Sequence, residues 1–387
     1  MRDMGPARED ALCTGEAMEY TLCVPCLLGL EGPIADELRR LNVENVTAEN
    51  GRVYCTGGPQ ILARANICLR IGERVLIELG RFDALSFDQL FEGARALPWE
   101  SMIPRDGAFP VKGYSLNSKL FSVSDCQSII KKAIARRLTE AYGIEWLPET
   151  GPLYQVQFSI MKDKVSLCID SSGAGLHKRG YRPAHNAAPL KETMAAAMVK
   201  LARYNGRADF CDPFCGSGTI PIEAALIAKN RAPGMNRDFT AMTWQDIPAA
   251  VWEEERQAAA AREYSGSYNI LGADIDPKAV DMARENARRA GVEDVVRFET
   301  ADAMDFSRET DKGVIVTNPP YGERIMEKQE AEELYRGFGR AYGENRNWSL
   351  YLLSSHTEFE RCFGRQADKK RKLYNGMIKC DLFMYYK

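Results

Sequence analysis

Two hydrophobic periods alternate along this chain, a period of two that reads as strand and one near 3.6 that reads as helix. The first 18 residues show neither and mix charge, glycine and proline, which predicts a loose tail. Tyr20 to Val24 reads as a strand and Gly32 to Leu41 as an amphipathic helix. Gly51 to Thr56 is a second strand, entered through Glu49-Asn50-Gly51, and Pro59 to Arg70 a helix. A strand over Arg74 to Phe82 precedes a helix over Phe87 to Ala96, which sets Phe87, Leu90, Phe91 and Ala94 on one face. Pro110 to Tyr114 is a short strand. Ser122 to Asp125 then offers N-caps for a long helix, Cys126 to Tyr142, that stops at Gly143. Tyr154 to Met161 and Val165 to Asp170 form a hairpin around Lys162-Asp163-Lys164, and a glycine-rich stretch, Ser171 to Gly175, leaves this half.

Beyond it the pattern becomes repeated βα units. Helices are expected at Pro189 to Tyr204, Ile220 to Ala228, Pro277 to Ala290 and near Ala331 to Tyr342. Strands are expected at Ala208 to Asp212, Ile270 to Asp274, Val295 to Phe298, Gly313 to Thr317 and Ser349 to Ser354. The tail, Lys372 to Tyr386 around Asn375-Gly376, reads as an antiparallel hairpin. The expected fold class is therefore α/β: an α+β first half, then a doubly wound, Rossmann-like parallel sheet with a terminal hairpin at one edge.

With 387 residues, several cores are expected. No apolar run is long enough to span a bilayer and the start lacks a secretory pattern, so a cytoplasmic address is expected. Eleven cysteines, an odd number set mostly in apolar contexts, read as reduced core thiols. Cys23-Val24-Pro25-Cys26 has no partner cluster, and His177, His185 and His356 are scattered, so no metal site is expected. The net charge of −3 predicts no polyanionic partner by itself, but it is unevenly spread. Residues 111–182 hold 11 Lys and Arg against 6 Asp and Glu, a local +5, which leaves −8 for the remainder. Lys112, Lys131, Lys132, Arg136 and Arg137 lie in this segment, with Lys178 and Arg179 at its end, as candidates for contact with a phosphate backbone.

Chemistry concentrates at strand ends in the second half. Asp212-Pro213-Phe214-Cys215-Gly216-Ser217-Gly218-Thr219 closes one strand and opens a helix, a place for a nucleotide-like cofactor. It matches neither the dinucleotide fingerprint nor the P-loop. Asp274, with Ile275 and Asp276 after it, ends the next strand where a carboxylate can accept from ribose hydroxyls. It follows Asp212 by 62 residues, implying an insertion over about 230–267, with helical Trp252 to Tyr264, that would lie near the substrate. Asp302 could accept from an adenine amino group or act as a helix cap. Cys215, in the glycine loop, reads as a packing residue.

The sharpest signal is Thr317-Asn318-Pro319-Pro320-Tyr321-Gly322. The exocyclic amine of a base is a poor nucleophile because its lone pair is delocalised into the ring. Two acceptors, the Asn318 side-chain oxygen and the Pro319 carbonyl, would localise that pair and aim it; Pro320 holds the backbone extended and Tyr321 could stack on a flipped-out base.

These motifs resemble those of class I S-adenosylmethionine-dependent methyltransferases that act on exocyclic amino groups. The upstream half resembles a ferredoxin-like segment followed by a THUMP RNA-binding domain. The join, Leu176-His177-Lys178-Arg179-Gly180-Tyr181-Arg182 and Ala188-Pro189-Leu190-Lys191-Glu192-Thr193, resembles that of the RlmL/YpsC-type 23S rRNA guanine-N2 methyltransferases. The resemblance implies a tail at 1–18, a ferredoxin-like segment at 19–70, a THUMP domain at 71–175 and a methyltransferase domain at 176–387. It implies S-adenosylmethionine as cofactor, held at its methionine end by Asp212, Phe214, Gly216, Ser217, Gly218 and Thr219. Asp274 would bind ribose, Ile275 and Asp302 the adenine, and Asn318, Pro319, Pro320 and Tyr321 the target amine. The implied partner is RNA, 23S rRNA or a large-subunit precursor, and only the guanine-N2 half of the two-unit fusion enzyme is represented. A tRNA guanine, an adenine N6 in DNA, or a non-catalytic role in ribosome assembly remain open, as does oligomeric state.

Overall fold

The computed structural model describes residues 19–182, 190–308, 310, 312–320, 328–345, 347–376 and 378–386. The expected tail, His185, Ala188, Pro189 and Tyr321 lie outside them.

The first half runs β1 (Tyr20–Pro25), α1 (Glu31–Arg40), β2 (Thr47–Glu49), β3 (Arg52–Gly57), α2 (Pro59–Cys68), β4 (Leu76–Asp83), α3 (Phe87–Arg95), β5 (Val111–Leu116), α4 (Val123–Tyr142), β6 (Val156–Met161) and β7 (Lys164–Asp170). Its seven strands form one sheet in the order β2-β3-β1-β4-β7-β6-β5. All pairings are antiparallel except β5 with β6, because α4 crosses between those two strands. The β6–β7 turn uses Lys162 and Asp163 at φ +52° and +65°, the left-handed geometry that matches strand twist in a tight hairpin. Helix α4 buries Cys126, Ile130, Ala133, Ile134 and Leu138, a stripe at 3.6 spacing, and ends at Gly143 with φ +61°. It starts three residues before the expected Cys126, with Ser122 at the cap position.

The second half runs α5 (Glu192–Leu201), β8 (Asp209–Asp212), α6 (Thr219–Ala228), α7 (Ala249–Ala260), β9 (Ile270–Asp274), α8 (Pro277–Ala290), β10 (Val296–Thr300), β11 (Gly313–Thr317), α9 (Lys328–Glu344), β12 (Trp348–Ser354), α10 (Phe359–Phe363), β13 (Lys369–Asn375) and β14 (Ile378–Tyr385). The strand order is β10-β9-β8-β11-β12-β14-β13. The first five strands are parallel, and β14 and β13 add antiparallel at one edge. From β8 the chain goes to β9 on one side and later to β11 on the other. Such a reversal opens a crevice beyond the carboxyl ends of β8 and β11.

The insertion over 230–267 packs at the junction of the two halves. Arg64 of α2 makes a two-pronged ion pair with Glu255 of α7 at 2.7 and 2.8 Å, and the Gly234 amide donates to the Ile67 carbonyl at 2.9 Å. The insertion therefore braces the two halves together. Ser171 and Ser172 are buried in the same junction, hydrogen-bonded to Asn66. The ten described cysteines are free thiols, and no described helix is long and apolar enough to cross a membrane.

Candidate active site

The crevice holds a cleft of about 780 Å³, the size of a small-molecule or cofactor site. Pro213, Phe214 and Gly216 form one wall, Asp274, Ile275 and Asp276 a second, and Asp302, Ala303 and Met304 a third. Asn318, Pro319 and Pro320 close it, with Glu330, Glu333 and Leu334 of α9 facing them.

Hydrogen bonds tie these walls together. Asp212 is buried, and its Oδ1 accepts from the Phe214 amide at 3.1 Å and from the Thr317 hydroxyl at 2.6 Å. One carboxylate thus joins the glycine loop to the strand that delivers Asn318. Burial, with Asp274 nearby, pushes the Asp212 carboxyl up to about 7. Asp274 accepts from the Gly216 amide at 2.8 Å through one oxygen and from the Asp276 amide at 3.0 Å through the other. Asp302 caps the turn over Ala303–Asp305 by accepting from the Met304 amide at 2.9 Å, so it is both a cap and part of the wall. Tyr335 of α9 donates to the Pro320 carbonyl at 2.8 Å and fixes the proline pair from beneath.

Three observations fit S-adenosylmethionine. Asn318 Oδ1 is a buried acceptor at the cleft with no hydrogen-bond partner among the described residues, a state that favours a ligand with N–H donors. A Cβ at Gly216 would meet only open space, so the loop leaves room for a ligand against its backbone. Ile275 is 68% exposed within the cleft, an apolar surface suited to a purine face.

Of the residues anticipated for the cofactor, Phe214, Gly216, Asp274, Ile275, Asp302 and Asn318 line the cleft. Asp212 sits behind it. Ser217, Gly218 and Thr219 do not line it: the Ser217 carbonyl accepts from Asn286, and Gly218 packs against Ala283 and Phe298 at φ +83° where α6 begins. Cys215 is a buried thiol held well above its ordinary range by burial and by Asp212, unsuited to act as a nucleophile. Glu330, Glu333 and Tyr335 carried no motif, since α9 reaches the cleft only through tertiary packing.

The basic candidates fare differently. Arg179 is 4% exposed and ion-paired with buried Glu223 at 3.2 Å, so it cannot reach RNA; it cements the two halves. Lys131 pairs with Glu149, Arg136 with Glu140 and Arg137 with Glu100, so the α4 face is largely neutralised internally. Lys112, Lys132 and Lys178 remain exposed. His177 lies 3.9 Å from Glu73, and burial lowers it to about 4, leaving it neutral at physiological pH.

Comparison with known proteins agrees with this geometry. Residues 179–383 match the model of the RMKL-like methyltransferase domain. The chain belongs to the RMKL-like methyltransferase family. Its first half matches the RlmL ferredoxin-like domain over 21–76 and the THUMP domain over 84–170. The YpsC protein of Bacillus subtilis (strain 168), provisionally named an RNA methyltransferase, is 44% identical over 95% of this chain and 96% of its own. A crystal structure from Listeria monocytogenes, described as a predicted N6-adenine-specific DNA methylase, superposes with a TM-score of 0.90 at 47% identity, covering 95% of this chain and 96% of that one. SMU.472, solved in complex with SAH, gives a TM-score of 0.89 at 40% identity, covering 96% and 99%. As an RMKL-like methyltransferase, the protein uses S-adenosylmethionine.

Proposed function

We propose that this protein methylates the exocyclic N2 amine of a guanine in 23S rRNA. The observation that carries the amine chemistry is Asn318: its side-chain oxygen is buried at the cleft, beside Pro319 and Pro320, without a partner among the described residues. An acceptor in that state is satisfied by an N–H donor, and a base amine supplies one. Bound S-adenosylmethionine provides an electrophilic methyl on a sulfonium. Asn318 and the Pro319 carbonyl orient the amine toward it, and Tyr335 keeps the proline pair in place. Formation of the N–C bond would break the sulfur–methyl bond and release S-adenosylhomocysteine; the amine, cationic only then, passes its proton to water, so no strong base is needed. Positioning supplies most of the acceleration. Tyr321 is assigned the stacking role on the resemblance alone.

The THUMP match and the name of the Bacillus relative support RNA; the description of the Listeria structure favours adenine N6 in DNA. The test is transfer of label from S-adenosylmethionine to unmodified 23S rRNA, tRNA and duplex DNA in parallel. Label in 23S rRNA as N2-methylguanosine is the expected result. Label confined to tRNA or DNA refutes the substrate assignment, and none anywhere, with the cofactor bound, refutes catalysis.

A further inference from the structure

A second chamber of about 490 Å³ lies between the two halves. It is reached past Asn230, which follows the carboxyl end of α6, whereas the amino end of α6 begins at the Gly216–Gly218 loop. The chamber is thus remote from the methyl-transfer cleft. Four cations line it: Arg40 of α1, Arg70 after α2, Lys200 of α5 and Arg262 after α7. None of the four is ion-paired among the described residues, whereas the cations of α4 are mostly neutralised. Arg70 is only 7% exposed, and its Nη1 is buried with no hydrogen-bond partner among the described residues. A guanidinium N–H left unmatched in the interior is costly unless an anion meets it.

The acids nearby fill that need only in part. Glu37 spends one oxygen on the Arg70 and Ile71 amides at 3.1 and 3.3 Å, and its Oε1 is buried without a hydrogen-bond partner among the described residues, so a single carboxylate faces the four cations; Glu263 is paired with Arg231 at 3.0 Å. Burial lowers the pKa of Arg70 and Lys200 although Glu37 acts to raise both, as expected where several positive groups share one carboxylate in the interior. At the rim stands Tyr264, 60% exposed, an aromatic ring free to stack. Cations drawn from four separate elements around an unmatched arginine, beside an aromatic ring, suit a phosphate with a base attached.

We propose that this chamber binds a phosphate-bearing nucleotide unit, its phosphate met by Arg70, Arg40, Lys200 and Arg262 and its base by Tyr264. That unit is either a free nucleotide or one residue of a bound RNA strand. The RNA source rests on the RNA reading above; the free nucleotide does not.

The test compares the full chain with Arg40→Gln/Lys200→Gln and with Tyr264→Ala. Guanosine monophosphate binding is followed by calorimetry and 23S rRNA binding by a salt titration. Unfolding temperature and S-adenosylhomocysteine affinity serve as controls for folding. For a free nucleotide, guanosine monophosphate binds the native chain and both variants weaken it about fivefold or more while RNA affinity is unchanged. For an RNA residue, guanosine monophosphate is silent and both variants weaken RNA binding; the double variant also has a salt slope shallower by about 0.7–0.9 for each phosphate it no longer neutralises. If the native chain binds no RNA, the RNA reading fails while the nucleotide titration still tests the chamber. Wild-type behaviour of both variants toward both probes, or no binding of either probe by the native chain, overturns the proposal. A loss confined to the double variant overturns the base half, leaving a bare anion site.

Discussion

Replacing Asp212 with Asn tests how the cofactor loop is wired to the strand that carries Asn318. Asp212 is fully buried, accepts from Thr317 and Phe214 through Oδ1, and has an unmatched Oδ2. Burial raises its carboxyl from 3.8 to about 7. That rise corresponds to roughly 4 kcal/mol against ionisation in the fold, taken as a ceiling. Because the folded value is the higher one, the stability tied to Asp212 is fully present below about pH 4. It declines as pH rises toward about 7 and stays lost above that. Asn keeps the Oδ1 acceptor and cannot ionise. Burying its unmatched –NH₂ has a pH-independent cost of about 1–3 kcal/mol, so the informative quantity is how the difference between native and variant changes with pH. Thermal unfolding of both proteins from pH 4 to pH 8.5, without cofactor, should show Asp212→Asn gaining on the native chain across that window by several degrees, since about 1 kcal/mol moves the midpoint of a domain this size by about 2–4 °C. A difference that stays flat with pH, or a native chain that gains on the variant as pH rises, would show that Asp212 is not held protonated and would refute the wiring.

Tyr335→Phe, which removes the hydroxyl that grips the Pro320 carbonyl, is expected to lower kcat about tenfold while leaving S-adenosylhomocysteine affinity within about twofold; equal losses in both would make its role merely structural. Gly216→Ala and Gly218→Ala should separate. The first places a methyl in open space at the cleft, with only the backbone cost of about 1–2 kcal/mol for alanine at φ +52°, and weakens cofactor binding about tenfold in titrations. The second drives a Cβ to 2.9 Å from Ala283 and 3.0 Å from Phe298 and costs about 1–3 kcal/mol in unfolding measurements. Arg179→Met leaves Glu223 buried and unpaired and should cost about 3–5 kcal/mol of stability; a folded, equally stable variant with impaired RNA binding would restore Arg179 to the RNA surface.

Much of the methyltransferase sheet was legible because each strand is an apolar run closed by a chemical motif, and the motifs at Asp212, Asp274 and Asn318 fall where the topology opens its crevice. The hairpins were legible from turn chemistry, as at Lys162-Asp163 and Asn375-Gly376. Short or packing-dependent elements were not. Strand β2 is three exposed residues with no period, and α10 is five residues whose buried Phe359, Cys362 and Phe363 rest on α9 and β14. The glycine loop misled in one respect: Ser217, Gly218 and Thr219 adjoin Gly216 in sequence, yet the backbone turns into α6 and carries them away from the cleft. Charge misled most. A run of cations on α4 looks free in a linear sequence, but its counter-ions Glu100 and Glu149 come from other segments, whereas the unmatched cations Arg40, Arg70, Lys200 and Arg262 are scattered over more than 200 positions and meet only in the fold.

The central claim is that Asn318 presents a guanine N2 amine of 23S rRNA for methylation. The most direct test is nucleoside mass spectrometry, with mapping, of 23S rRNA from cells lacking this protein, complemented either with the native chain or with Asn318→Ala. The expected result is one N2-methylguanosine that disappears with the protein, returns with the native chain and stays absent with Asn318→Ala, although purified Asn318→Ala still binds S-adenosylhomocysteine. An unchanged N2-methylguanosine map in the deletion, or full restoration by Asn318→Ala, would contradict it.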